Sequence, residues 1–172
     1  MTYASHQQQA GHRPVPCAII TASDTRTAET DASGRLLREL LTAAGHAIAS
    51  HEILPDDPAR ISAACQSLAT AGAVQAILIN GGTGVARRDG TFEAVAGLLT
   101  RTLPGFGELF RMLSWKQVKS GAMLSRAIAG IIDAPAGPVL LFSMPGSPNA
   151  VETAAKELII PELSHLAWEL RK

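Results

Sequence analysis

The stretch from Ile77 to Thr91, which reads ILINGGTGVARRDGT, constrains the fold more than any other part of the chain. Its first three residues are large and apolar, which is typical of a strand buried on both faces of a parallel sheet. After Asn80, the segment Gly81-Gly82-Thr83-Gly84 can adopt φ > 0 and leave backbone N–H groups uncovered. Such amides make a concave site for a phosphate or carboxylate. The sequence therefore predicts an anion-binding loop between a strand and a helix that begins near Thr91.

Two common phosphate-binding motifs do not match this loop. The dinucleotide fingerprint requires a third glycine where this chain has Arg87, and the chain contains no Gly-x-x-x-x-Gly-Lys-Ser/Thr sequence. Arg87, Arg88 and Asp89 follow the glycines. These charged residues either contact a ligand or are merely solvated at a tight turn, and the loop alone leaves both interpretations open.

Strand-like and helix-like segments alternate in the first half of the chain. Val15–Thr21 and His46–Leu54 read as strands, while Asp31–Gly45 and Pro58–Ala71 carry helix caps and apolar stripes of helical period. Together with the strand that begins at residue 77, this βαβαβ order predicts a parallel sheet with right-handed crossovers.

The second half adds a hairpin to this pattern. Segments 125–132 and 138–143 read as strands, and the five residues between them permit only an antiparallel connection. Helices are expected at 92–99, 106–115, 147–159 and 161–172. The predicted fold is a three-layer α/β domain, with a mostly parallel sheet, helices on both faces and an antiparallel edge strand. Residues 15–172 form this single domain, and residues 1–14 are expected to be a flexible tail.

Composition limits the classes of partner. The 172 residues include 15 basic and 15 acidic side chains, so a general nucleic-acid or membrane partner is not indicated. Charged residues make up only 17% of the chain, which indicates a thickly covered sheet or a surface hidden in an oligomer. The sequence has neither a secretory leader nor an 18-residue apolar span, and a cytoplasmic location is expected.

Cysteine and histidine usage gives no sign of a disulfide or of a structural metal site. Cys17 and Cys65 lie far apart in apolar patterns and are expected to be buried free thiols in a reducing compartment. The spacing of the five histidines matches no zinc-binding pattern, so no structural zinc is expected.

Three further loops follow strands. Ser23-Asp24-Thr25 follows the first strand, Pro55-Asp56 the second, and Pro145-Gly146-Ser147 the last. Taken singly, each is equally an ordinary turn or helix cap. In a parallel sheet, however, all of these loops and the glycine loop converge on one edge. Two carboxylates, loop amides and an arginine at that edge would suit a Mg²⁺-bridged polyphosphate.

Five motifs in order, ILPDD, INGGTGVARRDGT, PGFGELFRMLS, LSRAIAG and MPGSP, resemble the MogA/MoaB-type proteins of molybdenum cofactor biosynthesis. The resemblance covers roughly residues 15–165, and it is closer to the MoaB branch. It implies a molybdopterin adenylyltransferase that transfers AMP from Mg-ATP to the terminal phosphate of molybdopterin and releases pyrophosphate. It also implies a homotrimer or a hexamer.

By the same resemblance, Asp56 and Asp89 are the expected catalytic residues and Mg²⁺ ligands. The expected contacts to substrate and nucleotide are Ser23, Asp24, Thr25, Gly81, Gly82, Thr83, Gly84, Arg88, Ser125, Arg126, Pro145, Gly146 and Ser147. Two alternatives stay open from the sequence. One is a non-catalytic molybdopterin carrier of the same pathway, and the other is a generic anion-binding α/β module.

Overall fold

A six-stranded sheet forms the centre of the fold. The computed structural model describes residues 2–87 and 89–172. The strands are β1 (Pro16–Ala22), β2 (Ala47–Leu54), β3 (Ala76–Asn80), β4 (Arg101–Thr102), β5 (Ile128–Ala134) and β6 (Gly137–Met144). Their order is β2-β1-β3-β6-β5-β4. The first four in this order are parallel, β5 is antiparallel to β6, and β4 is antiparallel to β5. The predicted mostly parallel sheet with a hairpin is confirmed.

Seven α-helices surround the sheet in the described part of the chain. They are α1 (Tyr3–Ala10), α2 (Ala32–Ala43), α3 (Pro58–Ala71), α4 (Thr91–Ala96), α5 (Pro104–Val118), α6 (Pro148–Ala154) and α7 (Ile160–Glu169). A 3-10 turn (Lys119–Leu124) follows α5, and a π turn (Ala155–Ile159) joins α6 to α7. None of the helices formed by the described residues combines the length and the apolar character that crossing a lipid bilayer requires.

Alternating side chains divide the core into two halves. In β3, Leu78 packs with residues of α2, α5, α6 and α7, whereas its neighbours Ile77 and Ile79 pack with α3 and α4. All three side chains are fully buried. Burying a side chain of this size contributes about 1.5–3 kcal/mol to the free energy of unfolding. The three-layer prediction is therefore confirmed.

The strand register brings the functional loops together. Thr21 of β1 is paired with Asn80 of β3, which is paired with Met144 of β6, so these strands end side by side. Because β5 runs the opposite way, its first residue, Ile128, is paired with Ser143 at the same edge. Loops after β1, β2, β3 and β6 and the loop before β5 therefore share one rim.

The first residues of the chain include a helix. Residues 3–10 of the segment expected to be a flexible tail form α1. Ala10 is buried, and Gln7 Nε2 donates to Glu162 Oε1 over 2.9 Å. His6 Nδ1 lies 2.9 Å from Glu169 Oε1. These partners on α7 lie more than 150 residues away, so no local pattern could have indicated them.

The last helices also differ in detail from the prediction, which separated them near residue 160. The structure has one continuous helical segment from Pro148 to Glu169, interrupted only by the π turn. Pro161 cannot donate a backbone hydrogen bond, and its ring would crowd a carbonyl one turn earlier in a regular α-helix. The wider π turn directly before α7 relieves that crowding, so the chain continues instead of breaking.

Both cysteines are buried free thiols, as predicted. Burial raises the pKa of Cys17 and of Cys65 to about 12, so neither thiol ionises readily at neutral pH.

Candidate functional site

The glycine loop is fastened between the ends of β1 and β6. Gly81 has a φ of 106°, and a Cβ placed on it would lie 2.2 Å from the carbonyl oxygen of Ala22. Its N–H donates to the carbonyl of Met144 over 3.0 Å. A Cβ on Gly146 would lie 3.1 Å from the Cα of Gly81, so the two glycine turns pack backbone on backbone. The requirement for glycine predicted at Gly81 comes from this close approach and from its left-handed backbone.

A cavity of about 320 Å³ opens beside this loop. Its wall comes from the glycine loop, the end of α5, the 3-10 turn and the loop after β6. The lining residues are Gly82, Thr83, Gly84, Phe110, Ser114, Gln117, Val118, Gly121, Ala122, Leu124, Ser125, Pro145, Gly146, Ser147, Asn149 and Ala150. None of these side chains is charged. The volume lies within the usual range for small-molecule sites.

Two hydroxyl groups in the cavity wall have different surroundings. Ser147 Oγ accepts from the backbone N–H of Ala150 over 3.3 Å and caps α6. Ser125 Oγ is buried and has no hydrogen-bond partner among the described residues. A buried polar atom without a partner is costly, so this hydroxyl is a candidate to bind a ligand that enters the cavity.

Three carboxylates, Asp24, Asp56 and Asp89, lie on the same loop system, and we call this group the acidic face. The backbone N–H of Asp56 donates to Asp24 Oδ1 over 3.1 Å. Asp56 Oδ1 accepts from Thr91 Oγ1 over 3.2 Å, and Asp89 Oδ2 accepts from the backbone N–H of Ala86 over 2.9 Å. The charge of Asp89 acts on the carboxyl group of Asp56, so the two side chains lie in the same region of the loop system.

The acidic face touches the same glycines that line the cavity. A Cβ on Gly82 would lie 2.5 Å from Asp56 Oδ1, and a Cβ on Gly84 would lie 2.5 Å from Asp89 Oδ2. No larger residue fits at either position without moving a carboxylate. The glycine loop therefore borders both the cavity and the acidic face.

Electrostatics at the acidic face favour a cation. Burial raises the pKa of Asp56 above its ordinary value, and the charges of Asp89 and Asp24 raise it further. Hydrogen bonds from Thr91 and the backbone of Gly90 oppose this rise. Like charges held close together disfavour ionisation, and a bound cation removes that repulsion.

The donor set fits Mg²⁺. Magnesium prefers oxygen ligands and commonly takes one or two carboxylates, with phosphate oxygens and water completing its shell. Asp24, Asp56 and Asp89 do not bring three ligand atoms within 4.8 Å of one another, so they form no closed protein cage. Such an open set suits an ion that is shared with a phosphate-bearing substrate.

Arg126, a predicted substrate contact, is bound to the glycine loop and to Glu93. Its Nε donates to the carbonyl of Gly84 over 2.8 Å, its Nη2 donates to the carbonyl of Asp89 over 2.6 Å, and its Nη1 pairs with Glu93. Its backbone N–H donates to the carbonyl of Thr83 over 3.1 Å. All three guanidinium nitrogens are engaged, so Arg126 holds the loop in shape. The predicted strand at 125–132 begins only at Ile128, which leaves Ser125 and Arg126 free to turn toward the loop.

The other loop residues considered in the sequence analysis differ in their contacts and exposure. Ser23 Oγ accepts from the backbone N–H groups of Thr25 and Arg26 over 3.3 and 3.2 Å, so it shapes a turn. Thr25 and Arg87 are exposed. Arg88 lies outside the described residues.

A buried polar network below the loop was missed by the sequence analysis. Asn80 Nδ2 donates to Thr21 Oγ1 over 3.0 Å, and Thr21 Oγ1 donates to Asp31 Oδ2 over 2.7 Å. His51 Nε2 lies 3.0 Å from the same oxygen of Asp31. Asp31 also caps α2 through Gly34, the one role that the sequence had indicated. The polar residues Thr21 and Asn80, at the ends of β1 and β3, were the only sequence signal of this network. The network fixes where the glycine loop begins.

Residues 18–165 match a protein family described as "Probable molybdopterin binding domain". The chain belongs to this family. It is 49% identical to the molybdenum cofactor biosynthesis protein B of Bacillus cereus, over all of this chain and 99% of that protein. A crystal structure of a molybdenum cofactor biosynthesis protein B superimposes with a TM-score of 0.86 at 51% identity, covering 94% of this chain and 98% of the other.

The same fold occurs in a protein described as the tungsten cofactor synthesizing protein MoaB from Pyrococcus furiosus. That structure has a TM-score of 0.83 at 34% identity and covers 93% of this chain and 99% of the other. The resemblance to the MogA/MoaB-type family is therefore confirmed, and the chain is a homologue of molybdenum cofactor biosynthesis protein B.

Proposed function

We propose that this protein is a molybdopterin adenylyltransferase that uses Mg-ATP. The observation that carries the proposal is the glycine loop, whose glycines contact the uncharged cavity and also the acidic face. A transfer reaction needs this combination, because one substrate must be held beside a centre that neutralises phosphate charge.

Molybdopterin is assigned to the cavity in this proposal. The serine, asparagine and glutamine side chains of the wall can recognise a polar heterocycle without adding charge. Loop N–H groups next to Thr83 would donate to its terminal phosphate, and the unpartnered hydroxyl of Ser125 would gain an acceptor or donor.

The triphosphate of ATP is assigned to the acidic face. Asp56 and Asp89, with Asp24 beside them, would hold Mg²⁺, which supplies positive charge to the phosphates. An oxygen of the pterin phosphate forms the new bond to the α-phosphorus of ATP. The bond from that phosphorus to the oxygen bridging to the β-phosphate breaks, and pyrophosphate leaves. Arg126 keeps the loop in place through the carbonyl groups of Gly84 and Asp89.

The test is an assay of the purified chain with molybdopterin and Mg-ATP that follows adenylylated pterin and pyrophosphate separately. Equal amounts of both products, absent without Mg²⁺, are expected. Tight pterin binding without pyrophosphate release would instead select the carrier alternative. The generic anion-binding alternative predicts no thermal stabilisation by either substrate, whereas a ligand at 100 times its dissociation constant adds about 2.7 kcal/mol.

A homo-oligomer, as a trimer or a hexamer, is part of the proposal. Support comes from the outer face of α5 and the 3-10 turn, where six large apolar side chains are between 46% and 76% exposed: Leu109, Met112, Trp115, Val118, Met123 and Leu124. Contiguous apolar patches of this kind commonly mark protein interfaces. Light scattering on the native chain and on Trp115→Glu checks this. The native chain is expected at three or six copies and the variant at fewer.

A further inference from the structure

The two ends of the chain meet where α1 packs on α7, and they bring two histidines and a glutamate together. His6 Nδ1 lies 2.9 Å from Glu169 Oε1, and His165 Nε2 lies 3.5 Å from the same oxygen. Among the described residues, only these three offer one ligand atom each within 4.8 Å of the others. All three residues are half-buried, so the group is shielded but still reachable from solvent.

A second carboxylate, that of Glu162, fixes the orientation of the His165 ring. His165 Nδ1 lies 3.0 Å from Glu162 Oε2, and Glu162 also accepts from the hydroxyl of Tyr3 and, over 2.9 Å, from Gln7 Nε2. An acceptor at Nδ1 keeps the ring proton there, so Nε2 presents a lone pair. A carboxylate behind a histidine is the usual support of a metal-bound imidazole.

The lone pair on Nε2 has nothing to accept from. This nitrogen is shielded from solvent and has no hydrogen-bond partner in the part of the chain that the structure describes. The atom closest to it in the cluster is a carboxylate oxygen of Glu169, which is itself an acceptor. A divalent cation placed between these two atoms would give His165 Nε2 a partner and would replace Lys172 Nζ as the cation beside Glu169 Oε1.

The distances suit a tetrahedral ion. Zinc lies about 2.0–2.2 Å from histidine nitrogen and carboxylate oxygen, so its ligand atoms are separated by roughly 3.3–3.6 Å. The separation of 3.5 Å between His165 Nε2 and Glu169 Oε1 already meets this value. The separation of 2.9 Å at His6 is that of a hydrogen bond, so metal binding requires His6 Nδ1 to be free of its proton and to move a few tenths of an ångström away from Glu169 Oε1. Two histidines and one glutamate are a known zinc ligand set that keeps one position open for water.

We propose that His6, His165 and Glu169 bind Zn²⁺ and that this ion fastens α1 to α7. Glu162 is a positioning residue for His165. The site uses no residue of the cavity or of the acidic face, so it stands independently of the adenylyltransferase assignment. One cation competes with it, because Lys172 Nζ lies 2.7 Å from Glu169 Oε1 and must leave when the metal binds.

Calorimetric titration of the full-length chain with Zn²⁺ tests the proposal, with excess Mg²⁺ present to occupy the oxygen ligands of the acidic face. One zinc ion per chain is expected, with a matching visible absorption band when Co²⁺ replaces it. His165→Ala and His6→Ala should lose roughly 10-fold or more in affinity, and Glu162→Ala roughly 10–100-fold. Zinc should raise the Tm of the native chain but not that of His6→Ala, which lacks the ligand from α1.

Two variants keep the test specific. His12→Ala removes an exposed histidine of the same terminal segment outside the cluster and should bind zinc as the native chain does. Lys172→Met removes the competing cation and should tighten binding several-fold, a gain that nonspecific histidine binding does not predict. The proposal is overturned if the native chain binds no stoichiometric zinc. It is also overturned if His165→Ala binds as well as the native chain, or if His12→Ala is as impaired as His165→Ala.

Discussion

The cavity and the acidic face share the glycine loop and differ in charge. Among the described residues, the wall of the cavity has no charged side chain, whereas three carboxylates crowd the acidic face. The cavity contains an unpartnered hydroxyl at Ser125, and the acidic face contains a carboxyl group, Asp56, whose pKa is raised. Among the described residues, the hydroxyl of Ser125 therefore lacks a hydrogen-bond partner, and the carboxyl group of Asp56 lacks a neighbouring positive charge.

Because the two surfaces differ in charge, we expect mutations to affect pterin binding and adenylyl transfer separately. Changes at the acidic face should affect transfer more than pterin binding, and changes in the cavity should do the reverse. A change in the loop itself should affect both.

The largest expected effect belongs to the acidic face. Asp56→Asn and Asp89→Asn each remove one charge and should lower kcat for adenylyl transfer by about 100-fold or more, since charge stabilisation of the transition state is lost. Pterin affinity, measured by fluorescence or calorimetry, should change little. Asp57→Asn is the matched control, because Asp57 only caps α3 through Arg60 and asparagine caps equally well. Full turnover in both variants would refute the assigned chemistry.

Gly82→Ala should weaken both pterin binding and adenylyl transfer, because it deforms the glycine loop. The new Cβ would meet Thr91 Oγ1 at 2.0 Å and Asp56 Oδ1 at 2.5 Å, and the backbone φ of 64° is strained for alanine. A loss of about 1–3 kcal/mol in the free energy of unfolding is expected, measured by urea denaturation. Gly105→Ala, which has open space within α5, should instead be neutral or stabilising by up to about 1 kcal/mol. Equal losses in the two variants would contradict the packing described for the loop.

Ser125→Ala should separate stability from binding. Because the buried hydroxyl has no partner in the described structure, its removal should leave the free energy of unfolding unchanged or raise it by up to about 1 kcal/mol. Pterin affinity should fall by about 5–10-fold, the cost of one lost hydrogen bond. A variant that binds normally would remove Ser125 from the site.

The smallest effect concerns stability against pH. Since the folded state raises the pKa of Asp56, it holds this proton at pH values where the unfolded chain has released it. Stability from this group therefore falls as the pH rises from the unfolded pKa through the folded one. Asp56→Asn should flatten that part of the profile and be more stable than the native chain at neutral pH. Thermal scans across acidic and neutral pH check this, with Asp57→Asn as the control that keeps the native slope.

Local signals explain how much of the fold the sequence could predict. Pro58, Gly72 and the helical spacing of the apolar residues between them predicted α3 at 58–71, and its bounds in the structure are the same. The hairpin followed from a connection too short for a crossover. The roles expected of Asp56 and Asp89 came from the family resemblance, whereas the strand pattern predicted only that the loops after the strands meet at one edge of the sheet.

Features that depend on distant pairing could not be predicted. The role of Arg126 follows from carbonyl groups more than 35 residues earlier in the chain. Thr91 could be recognised as a helix start but not as a donor to Asp56, since that contact joins two separate loops. The packing of helix α1 and of His6 could not be predicted either, because their partners lie at the other end of the chain.

The continuous helical segment from Pro148 to Glu169 has a structural consequence. At a rise of 1.5 Å per residue, these 22 residues span about 33 Å. One end begins beside the turn at Ser147, and the other carries the contacts to the amino-terminal helix. The helical backbone continues through the π turn, so the turn at Ser147 and the packing of α1 on α7 are joined by one helical segment without an intervening loop.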